Sequence, residues 1–524
     1  MKARNKPVKR DVLDHPKLRF LRENVIGRKT YIKTPFGRKR RLYFDYVASG
    51  LPCEAIEKLI NKRVLPHMAN THTESNTSGR QMTYLVDQAY RTVTSALGAR
   101  FDDVVIFTGA GSTSAINRLI LAMGLRVPSQ VAAACGCDRN IPREARPVIF
   151  RSMMEHHSND ISWRETIGET RFVGFDKVGR IDWRDLERQL DLPEVKSRPF
   201  LIGTFSAASN VTGILNHVDP LAQVMHDHGG YAFFDYAAAA PYVPILLHPR
   251  GGEGKRKDAV FISTHKFIGG PQTPGILAAN QALFTSDVPV EPGGGTVLYT
   301  SPWDHQYFED IAAREVGGTP AIVQIIRAGL VFQLKRYIGN DLLQSAEREL
   351  VSRARERFLA NPRLTLLGHH GVKRLGVFSV TFEGLHHNLA MRLLNDRFGI
   401  QVRAGCMCAG TYGHELLHIG QQQSQEIRDA LDRGEGWVKP GWVRISLSPA
   451  TSREDLEYLL DAVDQVSEDW EDYVDTYRQD TMGEFHYSGR KFAERFEPLE
   501  LDLPSDEAIL REKLRDAATP KPRG

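Results

Sequence analysis

Three short segments carry residues whose chemistry stands out against their surroundings. Residues 104–117, VVIFTGAGSTSAIN, run an apolar strand into a glycine turn whose hydroxyl residues open a helix. Free N–H groups at that helix start, with the hydroxyls of Ser112 and Thr113, suit an anion such as a phosphate. The segment lacks the lysine of a P-loop and the glycine spacing of a dinucleotide fingerprint. Residues 231–237, YAFFDYA, are apolar enough to lie inside the protein, yet the strand ends on Asp235. A buried carboxylate needs a cation or a hydrogen-bond donor; alone, it also reads as a strand-end cap. Residues 260–270, VFISTHKFIGG, carry another apolar strand into Ser263, Thr264, His265 and Lys266. Desolvation at such a strand end lowers a lysine's pKa and makes the amine nucleophilic. A phosphate anchor, a buried acid and a sheltered lysine together are what a pyridinium cofactor requires.

These residues need a scaffold that gathers strand ends. Short apolar runs at 103–107, 147–151, 199–204, 231–235 and 259–262 read as strands, with helical stretches between them, including 112–123. That rhythm predicts a mostly parallel sheet covered on both faces. A strand at 41–47 is expected to pair with 30–34 across a turn at 35–39, and helical spacing covers 55–65 and 84–97. Beyond residue 320 the spacing predicts long helices at 321–337 and 341–360, then strands at 374–382, 400–403 and 443–447. A last acidic helix starts with Ser452 as its cap and Asp455 at the capping-box position. The expected organisation is a basic amino-terminal arm (1–41), a large domain (42–320), a smaller α/β domain (321–475) and a polar tail (476–524) wrapping the body.

The chain has 524 residues, 41% hydrophobic and 25% charged, with a formal charge of +4. This is the composition of a globular protein. The most apolar stretch, 231–247, is interrupted by Asp235, Pro241 and Pro244, so no membrane span is expected. Five cysteines in such a length do not make a disulfide framework, and the cytoplasm is the expected compartment. Residues 1–41 hold fifteen Lys/Arg against three Asp/Glu. A solvated arm on an acidic body is expected there, and nucleic acid is not the expected partner.

In order along the chain stand YFDYVASG at 43, FTGAGSTSAIN at 107, MEHHSNDISW at 154, ASNVTGILN at 208 and FFDYAAAA at 233. STHK at 263, REVGGTP at 314, VRAGCMCAG at 402 and VRISLSPATSREDL at 443 follow. With these segments the chain resembles the class V, fold-type I pyridoxal-phosphate enzymes, in the cysteine desulfurase and selenocysteine lyase branch. The resemblance implies a large domain with a seven-stranded, mostly parallel sheet and a smaller carboxy-terminal α/β domain. It implies that Lys266 carries pyridoxal 5′-phosphate covalently and that Asp235 keeps the ring nitrogen protonated. His156 would stack on the ring and Asn210 would approach its phenolic oxygen. Ser112, Thr113, Ser263 and His265 would hold the phosphate, and Thr319 would come from a partner subunit, making a homodimer. Arg444 would bind the carboxylate of a small amino-acid substrate, with Arg403 a second candidate.

Cys406 and Cys408 form C-x-C in a glycine-flanked loop, where persulfide, redox or metal chemistry is the usual use. A four-thiolate site with Cys135 and Cys137 has the wrong spacing for zinc, and no metal is expected; Cys53 reads as structural. Cys408 follows Arg403 by five residues, where the similar desulfurases place their nucleophile. As a thiolate it would take sulfur from L-cysteine as a persulfide, release alanine and pass the sulfur to an acceptor, such as another protein. Ala238 replaces a glutamine common in the family, and Met407 replaces a histidine. The enzyme alternative is a class V aminotransferase, C–S lyase or epimerase acting on another amino acid without a persulfide. A non-catalytic thiol–metal or nucleic-acid module is the alternative of a different class.

Overall fold

The computed structural model describes residues 11–489 except 72, 74, 138 and 139. Seven strands form the central sheet: β1 (Asp103–Thr108), β2 (Val148–Ser152), β3 (Glu169–Val173), β4 (Leu201–Ser206), β5 (Tyr231–Asp235), β6 (Ala259–Ser263) and β7 (Gly275–Asn280). Their order across the sheet is β1-β7-β6-β5-β4-β2-β3. β7 alone runs antiparallel, paired with both β1 and β6. The other pairings are parallel, as the strand–helix rhythm predicts.

Burial on both faces explains why the strands read as continuous apolar runs. In β1, Val104 and Ile106 pack into one cluster with Ile116 and Leu119, while Val105 and Phe107 point into the opposite one. Helices α1 (Thr77–Leu97), α2 (Gly111–Ala122) and α3 (His157–Arg164) belong to this large layer. α4 (Ile322–Ile338) packs against α1 and leads into α5 (Asn340–Ala360).

The second layer is an antiparallel sheet of β8 (Leu364–Leu366), β9 (Val377–Phe382), β10 (Arg403–Gly405) and β11 (Trp442–Ser446), in the order β8-β9-β11-β10. α6 (His387–Phe398) and α7 (Arg453–Asp469) cover it. Ser452 caps α7 by accepting from the Asp455 N–H at 3.0 Å.

The first forty residues depart from expectation twice. Tyr31–Thr34 pairs with Gly37–Arg40 in a tight hairpin, whereas Leu42–Tyr43 runs parallel to Ile400–Gln401. The turn at Pro35–Phe36 is short enough to close the hairpin before residue 41. Nor is the segment from 11 onward a solvated arm. Leu13, Leu18, Leu21 and Val25 enter the same core as Phe378, Val443 and Leu459. Several of its cations find carboxylates or carbonyls: Arg40 pairs with Asp455, and buried Arg22 donates to the Ala450 and Leu13 carbonyls. Leu18 is 0% exposed, so Leu18→Ala is expected to cost ~2–5 kcal/mol. Denaturant unfolding should show that loss as a lowered midpoint, with the far-ultraviolet circular dichroism of the native state unchanged. In the tail, Tyr477–Gln479 and Phe485–Tyr487 form a hairpin; the remainder of the expected tail, 490–524, lies outside the described residues.

Candidate active site

Parallel strands bring their carboxyl ends to one edge of a sheet, where ligands of α/β proteins bind. Five strand ends converge here. β1 delivers the turn to Ser112 and Thr113, β2 leads to His156, β4 ends on Ser206, β5 on Asp235 and β6 on Ser263 before Lys266. Together with Arg403, Met407, Cys408 and Arg444 from the second layer, these residues line a cavity of about 210 Å³. Asn210 and His265 line it too. Thr319 does not: it is exposed, 3.4 Å from the Asn70 amide nitrogen.

The β7 reversal shapes one wall. Gly275 lies opposite both Thr108 and Ser263, and a Cβ on it would sit 2.0 Å from the Gly111 carbonyl oxygen. Gly111 itself has φ +59°, and a Cβ there would meet Ser263 Oγ at 2.9 Å and the His265 ring at 2.8 Å. Gly275 thus lets β7 close against the Gly111 backbone, and Gly111 leaves the start of α2 open beside Ser263 and His265. Hydroxyls crowd that corner. The Ser112 N–H donates to Ser263 Oγ at 2.9 Å, the Ser263 hydroxyl donates to Ser112 Oγ at 3.2 Å, and Thr113 Oγ1 lies 2.6 Å from Ser158 Oγ. A helix start with four hydroxyls around it is an oxyanion cradle.

At the opposite side of the cavity the charges are paired. Asp45 accepts from Arg403 Nε at 2.9 Å and from Arg444 Nη2 at 2.8 Å, because β10 and β11 place the two arginines in register. Arg444 also donates to the Asn210 carbonyl at 3.2 Å, and its Nε is buried without a partner. An orphaned guanidinium nitrogen beside the cavity suits a carboxylate-bearing ligand.

Burial sets the protonation states between these ends. Lys266 falls to about 8, chiefly through desolvation, with Asp235 pulling the other way. Burial raises the Asp235 carboxyl, opposed by the Ala237 N–H and by Lys266. His156 falls to about 3 and His265 to about 4, both by burial first and the Lys266 charge second. His156 is therefore a neutral ring at physiological pH, with Nδ1 accepting from the Ser158 N–H at 3.2 Å. Only the neutral amine attacks an aldehyde, so condensation of Lys266 with an added aldehyde is expected to rise about tenfold per pH unit below pH 7 and to flatten above about 8. Neither histidine titrates in that window. Stopped-flow absorbance would test this; a rate still climbing tenfold per unit at pH 9–10 would contradict it.

The loop bearing Cys408 is fixed from beneath. Asn210 Nδ2 donates to the Met407 carbonyl at 3.0 Å, the His157 N–H donates to the Cys408 carbonyl at 2.8 Å, and the Gly410 N–H donates to His157 Nε2 at 2.9 Å. Cys408 is nevertheless exposed. A pinned backbone with an open thiol can carry a reactive sulfur between the cavity and solvent. Cys135 and Cys137 stand at the end of the Ser129–Cys135 helix, and no metal-ligating group among the described residues includes either C-x-C pair.

Several contributing residues had no assigned part in the sequence reading: Asp45, Glu155, His157, Ser158 and Ser206. Glu155 is buried, accepting from Ser152, Asn159 and Ser206 at 2.6, 2.7 and 2.7 Å. Burial raises it to about 7. It anchors the turn that aims His156 into the cavity. A carboxylate set directly before the paired histidines was the visible signal.

The chain matches the Aminotransferase class-V family over residues 42–459. It belongs to that family. It is 29% identical over 377 residues to a probable cysteine desulfurase of Halalkalibacterium halodurans, covering 70% of this chain and 84% of the relative. A probable cysteine desulfurase of Staphylococcus aureus is 26% identical over 376 residues, at 71% and 84% coverage. Among solved structures, a cysteine desulfurase from Thermococcus onnurineus NA1 superposes with a TM-score of 0.66 at 22% identity, covering 82% of this chain and 95% of that one. The cysteine desulfurase CsdA from Escherichia coli gives 0.62 at 22% identity, with 81% and 94% covered. These likenesses establish the fold: a class V, fold-type I α/β architecture with the seven-stranded sheet described above.

Proposed function

We propose that this chain is a pyridoxal-phosphate-dependent cysteine desulfurase that removes sulfur from L-cysteine as a Cys408 persulfide and releases alanine. The observation that carries the reading is the joining of Lys266, Asp235 and Cys408 in the wall of one cavity. Lys266 would be the attachment point, Asp235 would hold the ring nitrogen, and His156 and Asn210 would hold the ring, since all four line that cavity. Ser112, Thr113, Ser263 and His265 would hold its phosphate at the start of α2, beside Gly111. When bound, the cofactor supplies an electron sink for the pair left when a bond at the substrate Cα breaks.

The protein's own groups do the rest. Arg444, supported by Asp45 and Arg403, holds the substrate carboxylate and so orients the Cα–H bond toward Lys266. Lys266 Nζ, neutral for an appreciable fraction of the time at pH 7, takes the Cα proton. Asp235 would be held ionised by a cationic ring nitrogen, which would replace the solvation its burial removes. Cys408 Sγ, as the thiolate, attacks the substrate sulfur; the new S–S bond forms as the substrate Cβ–S bond breaks, and the carbon fragment takes one proton at Cβ and regains the Cα proton from Lys266 to leave as alanine.

Thr319 lies outside the cavity of its own chain, which supports a homodimer in which each subunit completes the other's phosphate end. The exposed Cys408 supports delivery of sulfur to an acceptor at the cavity mouth. Among the described residues no helix is long and apolar enough to cross a membrane, and we place the enzyme in the cytoplasm. Equimolar alanine and sulfur from L-cysteine is the expected product pattern. A keto acid in place of alanine would favour the aminotransferase reading.

A further inference from the structure

Cys408 lines the cavity and Cys406 does not, yet both thiols reach solvent. Residues 406–409 make one tight turn, closed by the Ala409 N–H donating to the Cys406 carbonyl at 3.1 Å. Met407 and Cys408 have φ values of 57° and 54°, the two positive angles a type I′ turn requires. Two Cα–Cα steps of ~3.8 Å, bent through such a turn, bring the α-carbons of Cys406 and Cys408 into the ~4.4–6.8 Å span of a disulfide.

Left-handed backbone at two successive non-glycine residues is costly and persists only where surroundings enforce it. Here they do: the Met407 side chain is buried, and Asn210 and His157 hold the carbonyls of 407 and 408. The turn therefore holds a cavity-lining thiol and a second exposed thiol two residues apart on one bend. The remaining thiols stand elsewhere: Cys53 is buried in the large-domain core, and Cys135 and Cys137 lie at the far end of another helix.

We propose that Cys406 is a resolving thiol that converts the Cys408 persulfide into free sulfide. This rests on the desulfurase reading above. The Cys406 thiolate attacks Cys408 Sγ; a Cys406–Cys408 bond forms, and the bond from Cys408 Sγ to the outer sulfur breaks. The outer sulfur leaves with the electron pair and, with the proton given up by Cys406, departs as hydrosulfide. The transferred sulfur is reduced and the two thiols are oxidised to a disulfide, so no external oxidant enters. A dithiol reductant returns the pair for the next cycle. Attack at Cys408 Sγ is favoured because it expels hydrosulfide, the more acidic leaving thiol.

The test is a single turnover of the dimeric, cofactor-loaded enzyme with one equivalent of L-cysteine, without oxygen or reductant. Intact mass, alanine and sulfide are measured after acid quenching. The unmodified enzyme is expected about 2 Da lighter, with one sulfide per alanine, whereas Cys406→Ser is expected about 32 Da heavier with at least tenfold less sulfide per alanine. Alanine accompanied by a persistent persulfide in the unmodified enzyme would overturn this proposal alone. No alanine from either protein would overturn the desulfurase reading and this proposal with it.

Discussion

Lys266→Ala is expected to lower turnover by ~10⁴-fold or more, since it removes the covalent anchor and the base that takes the Cα proton. The protein should still fold. Removing a desolvated amine relieves a penalty, and removing its buried stem loses packing, so the two effects oppose each other. Circular dichroism should match the parent, and the melting temperature should shift by only a few degrees. The cofactor would bind through its phosphate and ring contacts but be lost on gel filtration. Methylamine added to the variant should restore part of the proton transfer. A variant that kept more than about a tenth of parent turnover would remove Lys266 from the reaction.

Cys408→Ser separates sulfur transfer from every other step. Sulfur release is expected to fall ~10²–10³-fold, because a serine hydroxyl is a far weaker nucleophile toward sulfur than a thiolate. The substitution is nearly isosteric, and its backbone is held by His157, so the left-handed conformation at 408 should survive. Addition of L-cysteine should still change the visible spectrum, because Arg444 and Lys266 are untouched. An unaltered rate of alanine formation in this variant would instead point to a lyase or transaminase working without a persulfide.

What the sequence made legible follows from where its signals are local. β5 and β6 are unbroken apolar runs that end on Asp235 and on Ser263–Lys266, so their burial and the strangeness of their last residues are both visible within a few positions. β3, ETRFV, was not foreseen: it lies on the sheet edge with only Val173 buried, and Glu169, Thr170 and Arg171 leave no apolar run to read. β7, GILAAN, has little intrinsic strand preference; its place between β1 and β6 makes it a strand, a tertiary effect overriding propensity. Asp45 was out of reach for a related reason, since its partners Arg403 and Arg444 stand 358 and 399 residues away. In the amino-terminal segment, charge outweighed a usable signal: Leu18, Leu21 and Val25 follow helical spacing and all are buried.

The central claim is that the amine of Lys266 bonds to the cofactor's aldehyde. Borohydride reduction of the cofactor-loaded protein, followed by peptide mapping, tests it directly. The added mass of a reduced pyridoxal phosphate is expected on the peptide containing residues 263–270, at Lys266, with loss of the visible band. Recovery of that mass on another lysine, such as half-buried Lys335, or on none, would contradict the account.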